Sequence, residues 1–185
     1  DVPGAIEAHA ERLQLDPTDR SALGSLERLY ESKGEWEKLV ETLQQSEQLA
    51  TSESEQRDYG LRIARVYEER LDDVASAVSA YSDVVGRFGR EPSALAALAR
   101  LHTRTQAWDD LFDVYEMQYE EATDDATRGG LRFLEAELLR ERLASTERAV
   151  ETYGQVLELV PGHVDAVTAL ETLVRTGEGE TRIQA

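Results

Sequence analysis

The chain has 185 residues, a formal net charge of −18 and no cysteine. Disulfides, thiol catalysis and cysteine-ligated zinc are thereby excluded. So strong an acidic balance argues against nucleic acid and anionic membrane surfaces as partners, because both would repel it. No apolar run approaches the roughly 20 residues needed to span a bilayer, and nothing at the start resembles a signal peptide or a lipidation signal. Ala, Glu, Leu and Arg dominate and only 6% of residues are aromatic, which favours helix over strand. The basic residues are 18 Arg against two Lys, Lys33 and Lys38, a skew that fits a GC-rich bacterial genome.

The first helical segment carries Ala5, Ala8, His9 and Leu13 and stops at Leu15-Asp16-Pro17. The next is expected over 19–32, with Leu23, Leu26, Leu29 and Tyr30 forming a buried stripe. Ser32-Lys33-Gly34 supplies a turn into a helix near 35–50. A second hairpin follows over about 54–70 and 74–88, joined by Leu71-Asp72-Asp73. Pro17, Pro92 and Pro161 fall at or just beyond helix ends, where a missing backbone N–H does least harm.

This order recurs. A shift of 72 residues, without gaps, aligns 1–72 with 73–144 at 18 identities. Ala5-Ile6-Glu7-Ala8-His9 falls on Ala77-Val78-Ser79-Ala80-Tyr81 and on Ala149-Val150-Glu151-Thr152-Tyr153. Ser21-Ala22-Leu23 falls on Ser93-Ala94-Leu95, Trp36 on Trp108, and Glu69-Arg70-Leu71 on Glu141-Arg142-Leu143. Each block holds two hairpins of about 36 residues. The organisation is therefore a single repeat domain, 1–185, with blocks 1–72, 73–144 and a partial 145–185. The phase at both ends points to a fragment of a longer array. End-to-end self-association through uncapped repeats is the corollary.

The motif resembles the tetratricopeptide repeat, in a degenerate bacterial form. Ala64 and Ala136 fall where that family places a small residue between the two helices, and Trp36 and Trp108 at its second-helix aromatic. The resemblance implies an all-α, right-handed superhelical solenoid of antiparallel hairpins, with about nine helices and a partial last one. It also implies first helices that line a concave surface. Three departures stand out. Glu27 and Ala99 replace the usual Gly, and Glu135 falls on the position of Ile63 in an apolar stripe. Burying an unpaired carboxylate is costly, so a rotated helix with Leu134 inward is expected, ion pairing with an Arg being the alternative. Gly129-Gly130 suggests a frayed or adjusted start to the same helix.

No catalytic arrangement emerges. His9 and His102 occupy aromatic packing positions, His163 lies in a turn, and no pair has metal-ligand spacing. The pairs Asp72-Asp73, Asp109-Asp110 and Asp124-Asp125 sit at turns or helix starts, where carboxylates complement the helix dipole. Neither calcium-loop nor phosphate-loop spacing is present. No cofactor, no metal and no enzyme activity are expected. The pattern that points to binding is a row of arginines: Arg28, Arg65, Arg100, Arg104, Arg140 and Arg175, interrupted by Glu137 and Thr172. On a concave face they would clamp carboxylates of an acidic peptide. The competing reading pairs Arg28 and Arg65 with Glu31, Glu68 and Glu69 as ordinary helix-surface contacts. The Lys and Asn pattern of chaperone-tail-binding relatives is not matched.

The expected function is a protein–protein interaction scaffold for a peptide or protein partner. The alternative is a regulatory segment of a larger bacterial signalling or assembly protein. A basic partner on the acidic convex face rivals the arginine row. The cytoplasm is the expected compartment, with the periplasm an alternative, since lack of cysteine fits both.

Overall fold

In a computed structural model, residues 2–183 form ten α-helices, and side chains are described for residues 2–175. In chain order they are α1 (Val2–Leu15), α2 (Arg20–Lys33), α3 (Trp36–Gln48), α4 (Glu53–Glu69), α5 (Val74–Phe88), α6 (Pro92–Thr105), α7 (Trp108–Glu121), α8 (Asp125–Glu141), α9 (Thr146–Leu159) and α10 (Val164–Ile183). Every helix expected from the sequence is present, and no strand occurs among the described residues. The chain is an all-α array of hairpins. It divides in the first turn of α6 into two compact units, Asp1–Ala94 and Leu95–Ala185.

The 72-residue phase is visible in the backbone hydrogen bonds of the turns. Glu35 N donates to Tyr30 O at 3.0 Å, and Ala107 N to His102 O at 2.9 Å. Asp73 N donates to Tyr67 O at 3.0 Å, and Ser145 N to Leu139 O at 2.8 Å. Each turn needs one residue in the left-handed region, and the positions repeat: Gly34 (φ 70°) with Gln106 (φ 58°), and Asp72 (φ 51°) with Ala144 (φ 47°). Side-chain caps recur as well. Ser52 accepts from Glu55 N at 3.2 Å and Asp124 from Thr127 N at 2.8 Å, which satisfies a backbone donor that the helix leaves without a partner. Asp19 and Asp73 cap α2 and α5 in the same way. Backbone N–H donation from residues 22, 76 and 127 holds the carboxyls of Asp19, Asp73 and Asp124 below the usual range.

Each unit has its own core. In unit 1, Leu39, Val40, Leu43 and Ile63 are buried, with Trp36, Tyr67 and Leu71 packed around them. In unit 2 the cluster is Ala136, Leu139, Ala149, Tyr153, Val156 and Ala166, flanked by Phe112 and Phe133. Ala64 and Ala136 are both fully buried, as a small residue between two close helices requires. Close approach also explains two glycines. A Cβ on Gly60 would lie 2.8 Å from Val84 Cγ2, and one on Gly129 would lie 2.6 Å from Val160 Cγ2.

Two expectations are corrected. Leu134 does not turn inward; it is 44% exposed, while Glu135 is fully buried. The helix keeps its register because Arg132, one turn earlier, donates to Glu135 Oε2 at 2.5 Å and supplies the pairing that burial demands. Nor is the start of α8 frayed. Gly129 and Gly130 lie inside the helix, and Gly129 lets α9 close against it.

Candidate functional site

The arginines of the row are placed as follows. Arg28 on α2 is exposed, and its Nε donates to Gly24 O at 3.1 Å. Arg65 on α4 is exposed and makes no ion pair among the described residues. Arg100 and Arg104 on α6 and Arg175 on α10 are exposed. Arg140 on α8 is different: its Nη2 donates to Glu137 at 2.6 Å and to Glu141 at 2.9 Å. Glu137, which also accepts from the Tyr153 hydroxyl, has the repeat phase of Arg65. The same face of the two copies thus carries opposite charge at that position.

Of the row, Arg65 lines a cleft. The hollow holds about 170 Å³ between α2 and α4, with α3 as its floor. Arg62, Arg65 and Arg70 bound it together with Trp36, and Glu31 and Glu69 stand beside them. Arg62 donates to Glu27 Oε2 at 2.8 Å. The Arg70 guanidinium lies 5.0 Å above the Trp36 ring, a cation–π contact. Arg65 makes no hydrogen bond or ion pair among the described residues. Counting Glu27 behind Arg62, three arginines meet three glutamates here, so the cleft is charge-balanced in a strongly acidic chain.

Sequence reading missed Arg62 and Arg70. Arg70 could have been found, because Arg142 lies 5.1 Å above Trp108 at the same phase; both partners recur together. Arg62 has no repeat counterpart, since Leu134 stands there in unit 2. The tryptophans are half-buried packing residues, as their phase implied.

The histidines do not converge. His9 is half-buried, and His102 is buried, 3.9 Å from Asp110. His163 Nδ1 accepts from Ala166 N at 3.3 Å as a helix cap, its ring 4.7 Å from that of Phe133. Among the described residues, no group of three or more His, Asp or Glu could hold a metal ion. No described helix is long and apolar enough to cross a membrane.

Helix hairpins repeated at a fixed interval, with turns and caps in phase, define a helical repeat protein. Two of the segments, 22–57 and 94–129, lying 72 residues apart, match the model of the tetratricopeptide repeat family. No curated protein matches the sequence significantly. Solved structures share the fold. The C-terminal part of a tetratricopeptide repeat protein from Cytophaga hutchinsonii is similar at a TM-score of 0.55 and 11% identity, over 97% of this chain and 68% of that one. YrrB, a tetratricopeptide repeat protein with an unusual peptide-binding site, gives 0.51 and 14%, over 92% and 84%. MamA gives 0.51 and 17%, over 89% and 92%.

Proposed function

We propose that the chain is a protein-binding module that captures a carboxylate-bearing segment of a partner in the cleft between α2 and α4. The observation that carries this reading is the gathering of Arg62, Arg65 and Arg70 beside Trp36. A guanidinium fork matches a carboxylate with two parallel hydrogen bonds. Arg65 supplies donors, Arg70 a second guanidinium held over Trp36, and Trp36 an apolar surface for the peptide. Arg28 extends the row along α2, and Arg100, Arg104, Arg140 and Arg175 form the corresponding row of unit 2. The pairing of Arg140 with Glu137 makes unit 1 the stronger half. A peptide-binding role also suits the repeat family, whose member YrrB carries a peptide-binding site.

A fluorescein-labelled hexaglutamate peptide, followed by anisotropy at fixed ionic strength, tests the reading. Arg65→Glu is expected to weaken binding about ten-fold or more, and Arg28→Glu to add a smaller loss. Arg20→Glu, the same charge change on a residue outside the cleft, should have a minor effect. Equal losses from Arg65→Glu and Arg20→Glu would leave only net charge as the cause and overturn the proposal. Arg100→Glu with Arg104→Glu reports whether the row of unit 2 takes part.

A further inference from the structure

The groove between α3, α4 and α5 in unit 1 has a counterpart, by the 72-residue phase, between α7, α8 and α9 in unit 2. The two are filled differently. In unit 2, Arg132 of α8 occupies the groove. Its guanidinium carbon lies 3.8 Å above the Tyr119 ring, and its Nη1 donates to Glu135 and to Glu116. In unit 1, the position of Arg132 is Gly60. At this position α4 supplies no side chain, and a Cβ on Gly60 would lie 2.8 Å from Val84 Cγ2, so that Val84 would have to shift. A cleft of about 350 Å³ remains. Glu47 of α3 and Asp83 of α5 wall it, and Gly60, Ile63 and Tyr67 of α4 form its floor.

We propose that this groove takes an arginine side chain carried by a protein partner; the acceptors differ from those of Arg132 in unit 2, since Glu116 and Glu135 fall on Gln44 and Ile63, and Glu47 and Asp83 take their part. The chemistry is complementary. Glu47 and Asp83 share one cation, Arg87, whose Nη1 donates to Glu47 Oε1 at 2.6 Å and to Asp83 Oδ2 at 2.9 Å. The second oxygen of each carboxylate has no partner among the described residues, and a carboxylate accepts several donors. Two acids against one base leave the site net negative. Tyr67 supplies the aromatic surface that Tyr119 supplies in unit 2. A guanidinium suits such a site better than an ammonium: it is planar, more weakly hydrated, and combines ring stacking with forked hydrogen bonds. Cation delivery to this face is independent of the acidic segment proposed for the α2–α4 cleft, since the two sites share no residue.

The test is an NMR titration of the full ¹⁵N-labelled chain with three blocked peptides at equal ionic strength. They are Gly-Ser-Arg-Ser-Gly and its lysine and citrulline counterparts. The arginine peptide is expected to shift the amides of Gly60, Ile63, Ser79 and Ala80 saturably. The lysine peptide should bind about three-fold or more weakly, and the uncharged citrulline peptide should give no saturable shift. Ser79→Arg places a cation in the exposed wall of the groove, one turn from Asp83, where it occupies the site in place of the incoming side chain; it should weaken binding about ten-fold. Glu47→Gln should weaken it by a smaller factor with helicity unchanged by circular dichroism. Absent shifts at these amides, an equal response to lysine, or shifts undiminished in Ser79→Arg would each overturn the proposal.

Discussion

Both units bury a glutamate on the first helix of a hairpin, and they satisfy it differently. In unit 1, Glu27 is 6% exposed and uses both oxygens: Oε1 accepts from the Ser46 hydroxyl at 2.7 Å, and Oε2 from Arg62 at 2.8 Å. In unit 2, Glu135 is fully buried, Oε2 accepts from Arg132, and Oε1 has no partner among the described residues. Arg132 is moreover shared with Glu116. Burial pushes the Glu135 carboxyl up to about 7; Arg132 opposes that rise and Glu116 adds to it. One guanidinium thus serves two carboxylates in a water-poor groove. The ion pair there is obligatory once Glu135 is inside, which is a different matter from being stabilising relative to an apolar core.

Removing the cation from each site gives the largest expected contrast. Above about pH 7, where Glu135 is ionised, Arg132→Ala strands it and should cost about 3–5 kcal/mol of unfolding free energy. Arg62 is 42% exposed, so in Arg62→Ala water can replace the lost donor at Glu27, and a cost of about 1 kcal/mol is expected. Urea denaturation of both variants measures the difference, and equal costs would abolish the distinction between the units. The converse substitution sharpens it. Arg132→Met with Glu135→Leu, which replaces the pair by apolar groups, should be neutral or stabilise by up to about 4 kcal/mol.

Next in size is the pH dependence. Glu135 holds a proton in the folded state up to about pH 7, whereas in the unfolded chain it loses it near the ordinary value of 4.5. Between these values the folded chain binds more protons, so stability falls as pH rises through the window. The Glu135 contribution should change by on the order of 3 kcal/mol between pH 4.5 and pH 7.5. Glu135→Gln removes this slope. The difference in unfolding free energy between the parent and Glu135→Gln, measured across that range, isolates it from other carboxylates. The capping Asp73 and Asp124 act with the opposite sign. Their lowered values add stability above the ordinary carboxyl value, and that stability is lost as pH falls below about 4. A parent-minus-variant curve that is flat between pH 4.5 and 7.5 would mean Glu135 titrates normally.

Glu135 also marks where sequence reading stopped. Helix spans, turns and caps were legible because they depend on residues close in the chain and because the 72-residue phase repeats them. The buried alanines at 64 and 136 and the aromatics at 81 and 153 followed from the same phase. For Glu135 the sequence offered both a rotated helix and pairing with an Arg; the i,i+3 contact with Arg132 decides for the second, and that Arg132 also reaches Glu116 on the neighbouring helix was not legible. Leu134 is exposed as a direct consequence, and it stands where Arg62 stands in unit 1. The cleft was legible only through Arg65. Arg62 belongs to no repeating position, and the groove emptied by Gly60 appears only when three helices are assembled around it.

The smallest expected effect compares one turn in its two copies. Gly34 and Gln106 occupy the same phase with φ of 70° and 58°. A left-handed residue with a side chain costs about 1–2 kcal/mol, which Gly avoids. Part of that is offset by the greater freedom of Gly in the unfolded chain. Gln106→Gly should therefore stabilise by about 0.5–1 kcal/mol, and Gly34→Gln should destabilise by a similar amount. A Cβ on Gly34 would meet the Trp36 ring at an ordinary 3.7 Å, so the penalty at that site is conformational and not steric. Thermal denaturation of the two variants should give melting shifts of opposite sign and similar size. Shifts of the same sign would show that the matching φ angles are not governing the turn, and that the two copies differ there in packing as they do at Glu27 and Glu135.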